Sequence, residues 1–185
     1  MNKFFGHLKT ILKHRRLVCK FCFKCGLYRQ GLAHDLSKFS PTEFITGVKY
    51  FTGKCSPNEL ERSEKGYSAA WLHHKGRNKH HFEYWTDVDA IGQTVCVEMP
   101  PKYFAEMICD RVAASKVYKG KDYTDSSPLE YFLSRKDNVS MHKNTAEKLE
   151  YFLNLLAEQG EKAMFSELKS FVKDSKKQNK NQPEA

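Results

Sequence analysis

Three observations predict that this chain folds as a single all-α domain. Apolar residues recur at helical spacing in several segments, and the longest alternation typical of a β-strand is the short run TVCV. Apolar residues make up 40% of the 185 residues and aromatic residues 13%, as in globular proteins. A chain of this length can bury a substantial core within one domain.

Each predicted helix has its own apolar spacing or end signal. The first extends from residue 3 to about residue 25, and a second carries the segment LYRQGLAHDL. A third begins after Ser40, a typical N-cap that is followed by proline. Further helices are predicted over GYSAAWLHH and over 101–118, whereas the polar segment 53–65 is interpreted as a loop or a helix start.

A helical hairpin is predicted near the C-terminus, over residues 126–172. Asn144 is expected to cap its first helix, and Gly160 is expected to end that helix. Apolar residues then repeat at helical spacing from 164 to 172. The segment 173–185 is basic and has no apolar periodicity, so we expect it to be a disordered tail.

The formal net charge of +9 predicts a negatively charged partner. Nucleotides, other phosphate esters, nucleic acid and acidic membrane surfaces all fit this surplus, and charge alone does not choose among them. No apolar run approaches the roughly 18 residues of a membrane span, and the N-terminal segment lacks the pattern of a signal peptide. We therefore expect a cytoplasmic protein with reduced cysteines and no membrane partner.

The placement of histidine is the strongest indication of chemistry. Eight histidines occur, and four of them lie within the nine residues HHKGRNKHH: His73, His74, His80 and His81. Imidazole groups suit Zn, Fe, Mn or Ni, and carboxylates add oxygen ligands. The alternative interpretation is a basic phosphate-binding loop, because the same stretch contains Lys75, Arg77 and Lys79.

Asp110 adds an independent indication of a buried site. Positions 103, 107, 110, 114 and 117 form one stripe of a predicted helix, and the other four are Tyr, Met, Ala and Val. A carboxylate on an apolar face needs a partner, which is either a metal ion or an arginine or lysine. His14 is a further candidate ligand on the first helix, although a lone helical histidine is usually structural.

The order of these residues resembles the HD-domain superfamily of metal-dependent phosphohydrolases, whose pattern is H…HD…H…H…D on an all-α scaffold. AHDLSKF is similar to the LHDIGKF of that superfamily, and CDRVAAS is similar to its closing aDrla. The segment AWLHHKGRNKHHFEYW resembles a small microbial branch with the pattern Trp-x2-His-x3-Asn-x-His-His-x3-Trp. The resemblance covers about residues 7–120 of a domain expected to occupy residues 1–172.

The resemblance implies a binuclear metal site and assigns its ligands. Four residues match the ligands of a first ion: His14, His34, Asp35 and Asp110. Asp35 would bridge to a second ion, which His74 and either His80 or His81 would complete. The cofactor implied is one or two divalent transition-metal ions, Mn, Fe, Co, Ni or Zn.

The chemistry implied is hydrolysis of a nucleotide or another small phosphate ester by a metal-activated hydroxide. Two cations about 3.5–4 Å apart can clamp a phosphoryl oxygen and lower the pKa of a bridging water. Besides Asp35, the candidate catalytic groups are Lys38 and Glu83. Glu83 and Glu106 are each either a proton carrier or an ordinary ion-pair partner. The candidate substrate-binding residues offer positive charge or an amide: Lys38, Arg77, Asn78 and Lys79. Asn78 orients either the loop or the substrate.

Two other functions use the same residues. An HD-fold di-iron oxygenase would keep the ligands, and a non-catalytic protein would bind a nucleotide or nucleic acid with a degenerate site. The set of candidate metal ligands is complete, which argues against the non-catalytic protein with a degenerate metal site. Tightly held iron with visible absorbance would distinguish the oxygenase.

Two remaining features receive structural interpretations. Cys19, Cys22 and Cys25 are spaced as in an iron–sulfur motif, but no fourth cysteine with the usual proline follows, so we interpret them as buried structural thiols. His142, just before the C-terminal hairpin, either approaches the site or caps the next helix.

Overall fold

The computed structural model describes residues 2–180 and is predominantly α-helical, which confirms the all-α class. Its eight α-helices are α1 (Lys3–Lys24), α2 (Tyr28–Ala33), α3 (Pro41–Lys49), α4 (Pro57–Lys65), α5 (Ala69–Lys75), α6 (Pro101–Lys119), α7 (Ser127–Leu133) and α8 (Lys143–Lys180). A short antiparallel hairpin of β1 (Thr86–Val88) and β2 (Thr94–Cys96) connects α5 to α6.

Three helices, α1, α6 and α8, build the apolar core. The side chains that are fully buried between them are mostly aliphatic or aromatic, among them Val18, Phe104, Ile108, Leu153 and Leu168. Each such side chain contributes about 1.5–3 kcal/mol by leaving water. Cys22 and Cys25 are also buried in this core as free thiols, in agreement with the structural interpretation, whereas Cys19 is only half-buried.

The helices α2, α3 and α5 pack around the N-terminal half of the molecule. Ser40 is the N-cap of α3, and its hydroxyl accepts a hydrogen bond from the backbone N–H of Glu43. The start of α5 is fixed by the buried carboxylate of Glu61, which accepts hydrogen bonds from the Ser68 hydroxyl and the Ala70 backbone N–H. These caps position the ends of two short helices that border the candidate site.

The C-terminal hairpin begins differently from the prediction. Asn144 is the second residue of α8 and not its cap, and its side-chain amide donates to Glu98 at 2.7 Å. His142 has the capping position instead, because its ring nitrogen accepts from the Asn144 backbone N–H. Gly160 breaks α8 as expected, since its φ of 77° lies in the left-handed region that glycine adopts most easily.

Two polar segments are more helical than their sequences indicate. Residues 57–65 form α4, within the segment interpreted as a loop or helix start. Helix α8 continues to Lys180, so it includes the first eight residues of the expected disordered tail, and 181–185 lie outside the described residues. None of the described helices combines the length and the apolar character that crossing a bilayer requires.

We predict that Gly47→Ala destabilises the protein by about 1–3 kcal/mol, the usual cost of overpacking. A Cβ at Gly47 would overlap the ring of His7, which is buried against Phe44 and Phe51. The measurement is the urea midpoint followed by circular dichroism. Thr42→Ala, an exposed position of the same helix, is the control and should stay within about 0.5 kcal/mol. Equal stability of the two variants would contradict the packing described.

Candidate metal centre

The candidate ligands come from separate parts of the chain and meet in one place. His14 lies on the buried side of α1, and His34 and Asp35 form the turn after α2. His74 is in the last turn of α5, Asp110 lies on α6, and the loop after α5 supplies His80 and His81.

Asp35 lies at the middle of this arrangement and presents its two carboxylate oxygens to different partners. Its Oδ2 is 3.6 Å from His14 Nε2 and 3.4 Å from His34 Nε2. Its Oδ1 is 3.3 Å from His74 Nε2 and 3.4 Å from His80 Nε2. Asp35 is only 1% exposed and has a φ of 53°, a left-handed conformation that is uncommon outside glycine and marks functional turns.

On the Oδ2 side, His14, His34, Asp35 and Asp110 form what we term the Asp110 cluster. Asp110 Oδ1 is 3.0 Å from His14 Nε2 and 3.7 Å from His34 Nε2, and the two imidazole nitrogens are 3.4 Å apart. Among residues 2–180, no lysine or arginine nitrogen lies within 4 Å of this carboxylate, so its partners are imidazoles. Nitrogen and oxygen atoms so close together resemble a ligand shell.

On the Oδ1 side, Asp35, His74, His80 and His81 form what we term the His80 cluster. One ligand atom of each lies within 4.8 Å of the others. Three buried atoms have no hydrogen-bond partner within residues 2–180: Asp35 Oδ1, His80 Nε2 and His81 Nε2. Because buried polar atoms are rarely left unpaired, this convergence fits a metal ion. The structure brings both His80 and His81 to the cluster.

Two glutamates, Glu43 and Glu106, contact the Nδ1 atoms of histidines in or beside the two clusters. Glu106 Oε1 is 2.9 Å from His34 Nδ1 and 3.1 Å from His80 Nδ1. Glu43 accepts at 2.7 Å from Nδ1 of both His73 and His74. A carboxylate on Nδ1 fixes the ring and leaves Nε2 free for a metal.

Sequence reasoning missed the role of Glu43. Its position three residues after Ser40 has an ordinary explanation as a residue in the first turn of α3. The only further sign is its burial, since it is 7% exposed, and burial is a tertiary property.

Glu106, considered as a proton carrier or an ion-pair partner, is an ion-pair partner of two histidines.

The carboxylates of the two clusters are stabilised by positive charge on their neighbours. Burial alone would raise the pKa of Asp35, but His34, Lys38 and His74 hold it well below its usual value. Burial would lower the pKa of the His34 imidazole, whereas the surrounding carboxylates, Asp35 foremost, raise it to about 10. A divalent ion held by these groups would supply further positive charge to the carboxylates.

A cavity of roughly 610 Å³ opens beside both clusters. The stripe of α6 singled out in the sequence lines it with Met107, Asp110, Ala114 and Val117, which explains an apolar face that also carries a carboxylate. Lys38 also lines the cavity, and its Nζ is 3.0 Å from Asp35 Oδ2.

Two further charged residues line this cavity with buried, unpaired atoms. Glu83 Oε2 and Arg111 Nε lack hydrogen-bond partners within residues 2–180. Burial raises the pKa of Glu83 and lowers that of Arg111. Glu83 is one of the catalytic residues predicted from the sequence, whereas no sequence pattern indicates a role for Arg111.

Three of the four residues expected to bind substrate do not line the cavity. Arg77 is exposed and donates to the His73 carbonyl, and Lys79 lies over the ring of Tyr84. The amide of Asn78 donates at 2.8 Å to the Ser37 hydroxyl and at 2.8 Å to the backbone carbonyl of His74. The contacts of Asn78 fit the alternative that it orients the loop. A role of Arg77, Asn78 or Lys79 in substrate binding stays a prediction.

Comparison with known proteins places most of the chain in one family. Residues 3–155 match DUF5662, which is described as a family of unknown function. No curated protein and no solved structure matches the chain. The match includes every residue of both clusters but carries no activity, so the resemblance to HD-domain phosphohydrolases stays a prediction.

We predict that Glu106→Gln weakens metal binding about 10- to 100-fold, because two ligand rings lose the carboxylate that orients them. Competition against a chelator of known affinity measures the change, and circular dichroism checks the fold. Glu130→Gln, which removes an exposed partner of Lys119, is the control and should leave affinity unchanged. Wild-type affinity in Glu106→Gln would contradict the assigned role.

Proposed function

The chain belongs to DUF5662, a family of unknown function, and we propose that it is a metal-dependent phosphohydrolase acting on a nucleotide or another small phosphate ester. The observation that supports this most is the single buried carboxylate of Asp35, shared between two groups of imidazoles. A shared carboxylate is a common means of holding two ions about 3.5–4 Å apart.

The two clusters would each hold one ion. The Asp110 cluster offers two imidazoles and two carboxylates, and the His80 cluster offers three imidazoles and the other oxygen of Asp35. Such nitrogen and oxygen donors suit Mn, Fe, Co, Ni or Zn. Bound divalent ions supply Lewis acidity toward phosphoryl oxygens and lower the pKa of water to about 7.

The protein's own side chains would neutralise charge on the substrate and orient the metal ligands. Lys38 is the cation nearest to the shared carboxylate and lines the cavity, so it is placed to neutralise a phosphoryl oxygen. Glu43 and Glu106 hold Nδ1 of three ligand imidazoles, which keeps the Nε2 atoms of His34, His74 and His80 directed inward. The roughly 610 Å³ of the cavity lies within the range of small-molecule sites and suits a nucleotide.

We predict that the natively purified chain contains one or two transition-metal ions and hydrolyses at least one phosphate ester in a screen with Mn, Co, Ni and Fe. Asp35→Ala should lose metal and reduce hydrolysis below detection, because both clusters lose a ligand. The readouts are elemental analysis and phosphate release. Asp137→Ala, an exposed aspartate, is the control and should keep both properties.

Three outcomes would count against the proposal. Absence of metal, together with no uptake at micromolar concentration, would rule out the centre itself. Tightly held iron with visible absorbance and no phosphate release would favour the di-iron oxygenase. Nucleotide binding without turnover under every metal would favour a non-catalytic binding protein.

A further inference from the structure

Buried polar atoms without partners concentrate around the cavity. Seven such side-chain atoms occur within residues 2–180, and five belong to residues that line the cavity: His7, Asp35, His81, Glu83 and Arg111. The proposed ions explain the unpaired atoms of Asp35 and His81. They do not explain those of Glu83 and Arg111, which are not members of either cluster.

Arg111 and Glu83 are both close in sequence to residues of the candidate metal centre. Arg111 follows Asp110 on α6, and Glu83 comes two residues after His81. Within residues 2–180, neither side chain forms an ion pair within 4 Å, and Glu83 Oε2 and Arg111 Nε lack hydrogen-bond partners. Leaving buried polar atoms of charged groups unpaired is costly, and both groups line the same cavity, so the arrangement indicates that a ligand completes both.

The guanidinium of Arg111 and the carboxylate of Glu83 suit different chemical groups of a ligand. A guanidinium donates through a planar fork that matches two oxygens of a phosphate, and its backbone neighbour is a proposed metal ligand. A carboxylate accepts hydrogen bonds and repels phosphate, so its natural partners are hydroxyl or amino groups. Tyr131 and Phe132 also line the cavity and offer apolar surface for a ring.

We infer that Arg111 and Glu83 are the substrate-recognition pair of this cavity, and that the substrate is a phosphate monoester of a hydroxyl-rich compound, a nucleoside or a sugar. Arg111 binds the phosphoryl oxygens, and Glu83 accepts hydrogen bonds from hydroxyl groups of the organic part. This inference rests on the proposed function for the position of the phosphate. It assigns Glu83 a binding role instead of proton transfer.

The test of Arg111 measures binding of inorganic phosphate to the full-length, Mn²⁺-loaded protein by calorimetry. We expect Arg111→Gln to weaken phosphate binding at least about tenfold, with unchanged metal content, because a bidentate charged contact is lost. Arg135→Gln is the matched control: Arg135 also lines the cavity but is ion-paired with Glu59 at 3.1 Å, and phosphate affinity should change less than about twofold.

The test of Glu83 uses two non-hydrolysable adenosine 5′-phosphonates, one with and one without the 2′ and 3′ hydroxyls. The wild-type protein should bind the hydroxylated probe at least about fivefold more tightly, since a carboxylate accepts from both hydroxyls. Glu83→Gln should remove most of this preference while leaving the affinity for inorganic phosphate unchanged.

Several outcomes would overturn the inference. These are wild-type phosphate affinity in Arg111→Gln, no hydroxyl preference in the wild-type protein, or loss of metal in Arg111→Gln. If Arg111→Gln does not fold, Arg111→Lys keeps the charge without the fork and should weaken phosphate binding several-fold; misfolding of both variants would make Arg111 structural and refute the binding role. Arg111-dependent phosphate binding without turnover of any ester would leave this inference standing and refute the proposed hydrolase.

Discussion

Burial of the Asp35 carboxylate is the constraint on which the rest of the site depends. A charge that is 1% exposed requires cations or hydrogen-bond donors close by, and four imidazoles and Lys38 surround it. These side chains come from α1, from the turn after α2, and from α5 and the loop that follows it. The contacts that compensate the buried charge of Asp35 therefore constrain how these elements lie relative to one another.

The apolar core and the candidate metal centre occupy different parts of the molecule. Its core between α1, α6 and α8 is apolar, whereas the site half of the same helices holds His14 and Asp110. Glu43 and Glu106 extend the polar network outward from the ligand rings to α3 and α6. A left-handed aspartate and several buried charges destabilise this half, and the apolar core offsets that loss.

Local patterns predicted most of the helices, because apolar periodicity and capping depend on neighbouring residues. The candidate ligands came from the clustering of histidines and from the resemblance to the HD-domain superfamily, apart from Asp110. Asp110 was identified by its stripe alone, which the structure explains by its position along the cavity. The pairing of Glu43 with residues 30 positions later follows from tertiary packing and leaves no local signal. The direction of a side chain also leaves no local signal. Charge made Arg77 and Lys79 candidates for substrate binding, whereas only the fold shows that Arg111 lines the cavity.

The sharing of Asp35 between two ions can be tested most directly by anomalous diffraction from crystals of the full chain grown with Mn²⁺. Our account predicts two anomalous peaks about 3.5–4 Å apart, one beside each carboxylate oxygen of Asp35. The Asp110 cluster should surround one peak and the His80 cluster the other. Crystals that contain Mn²⁺ but show no peak in contact with Asp35 would contradict it.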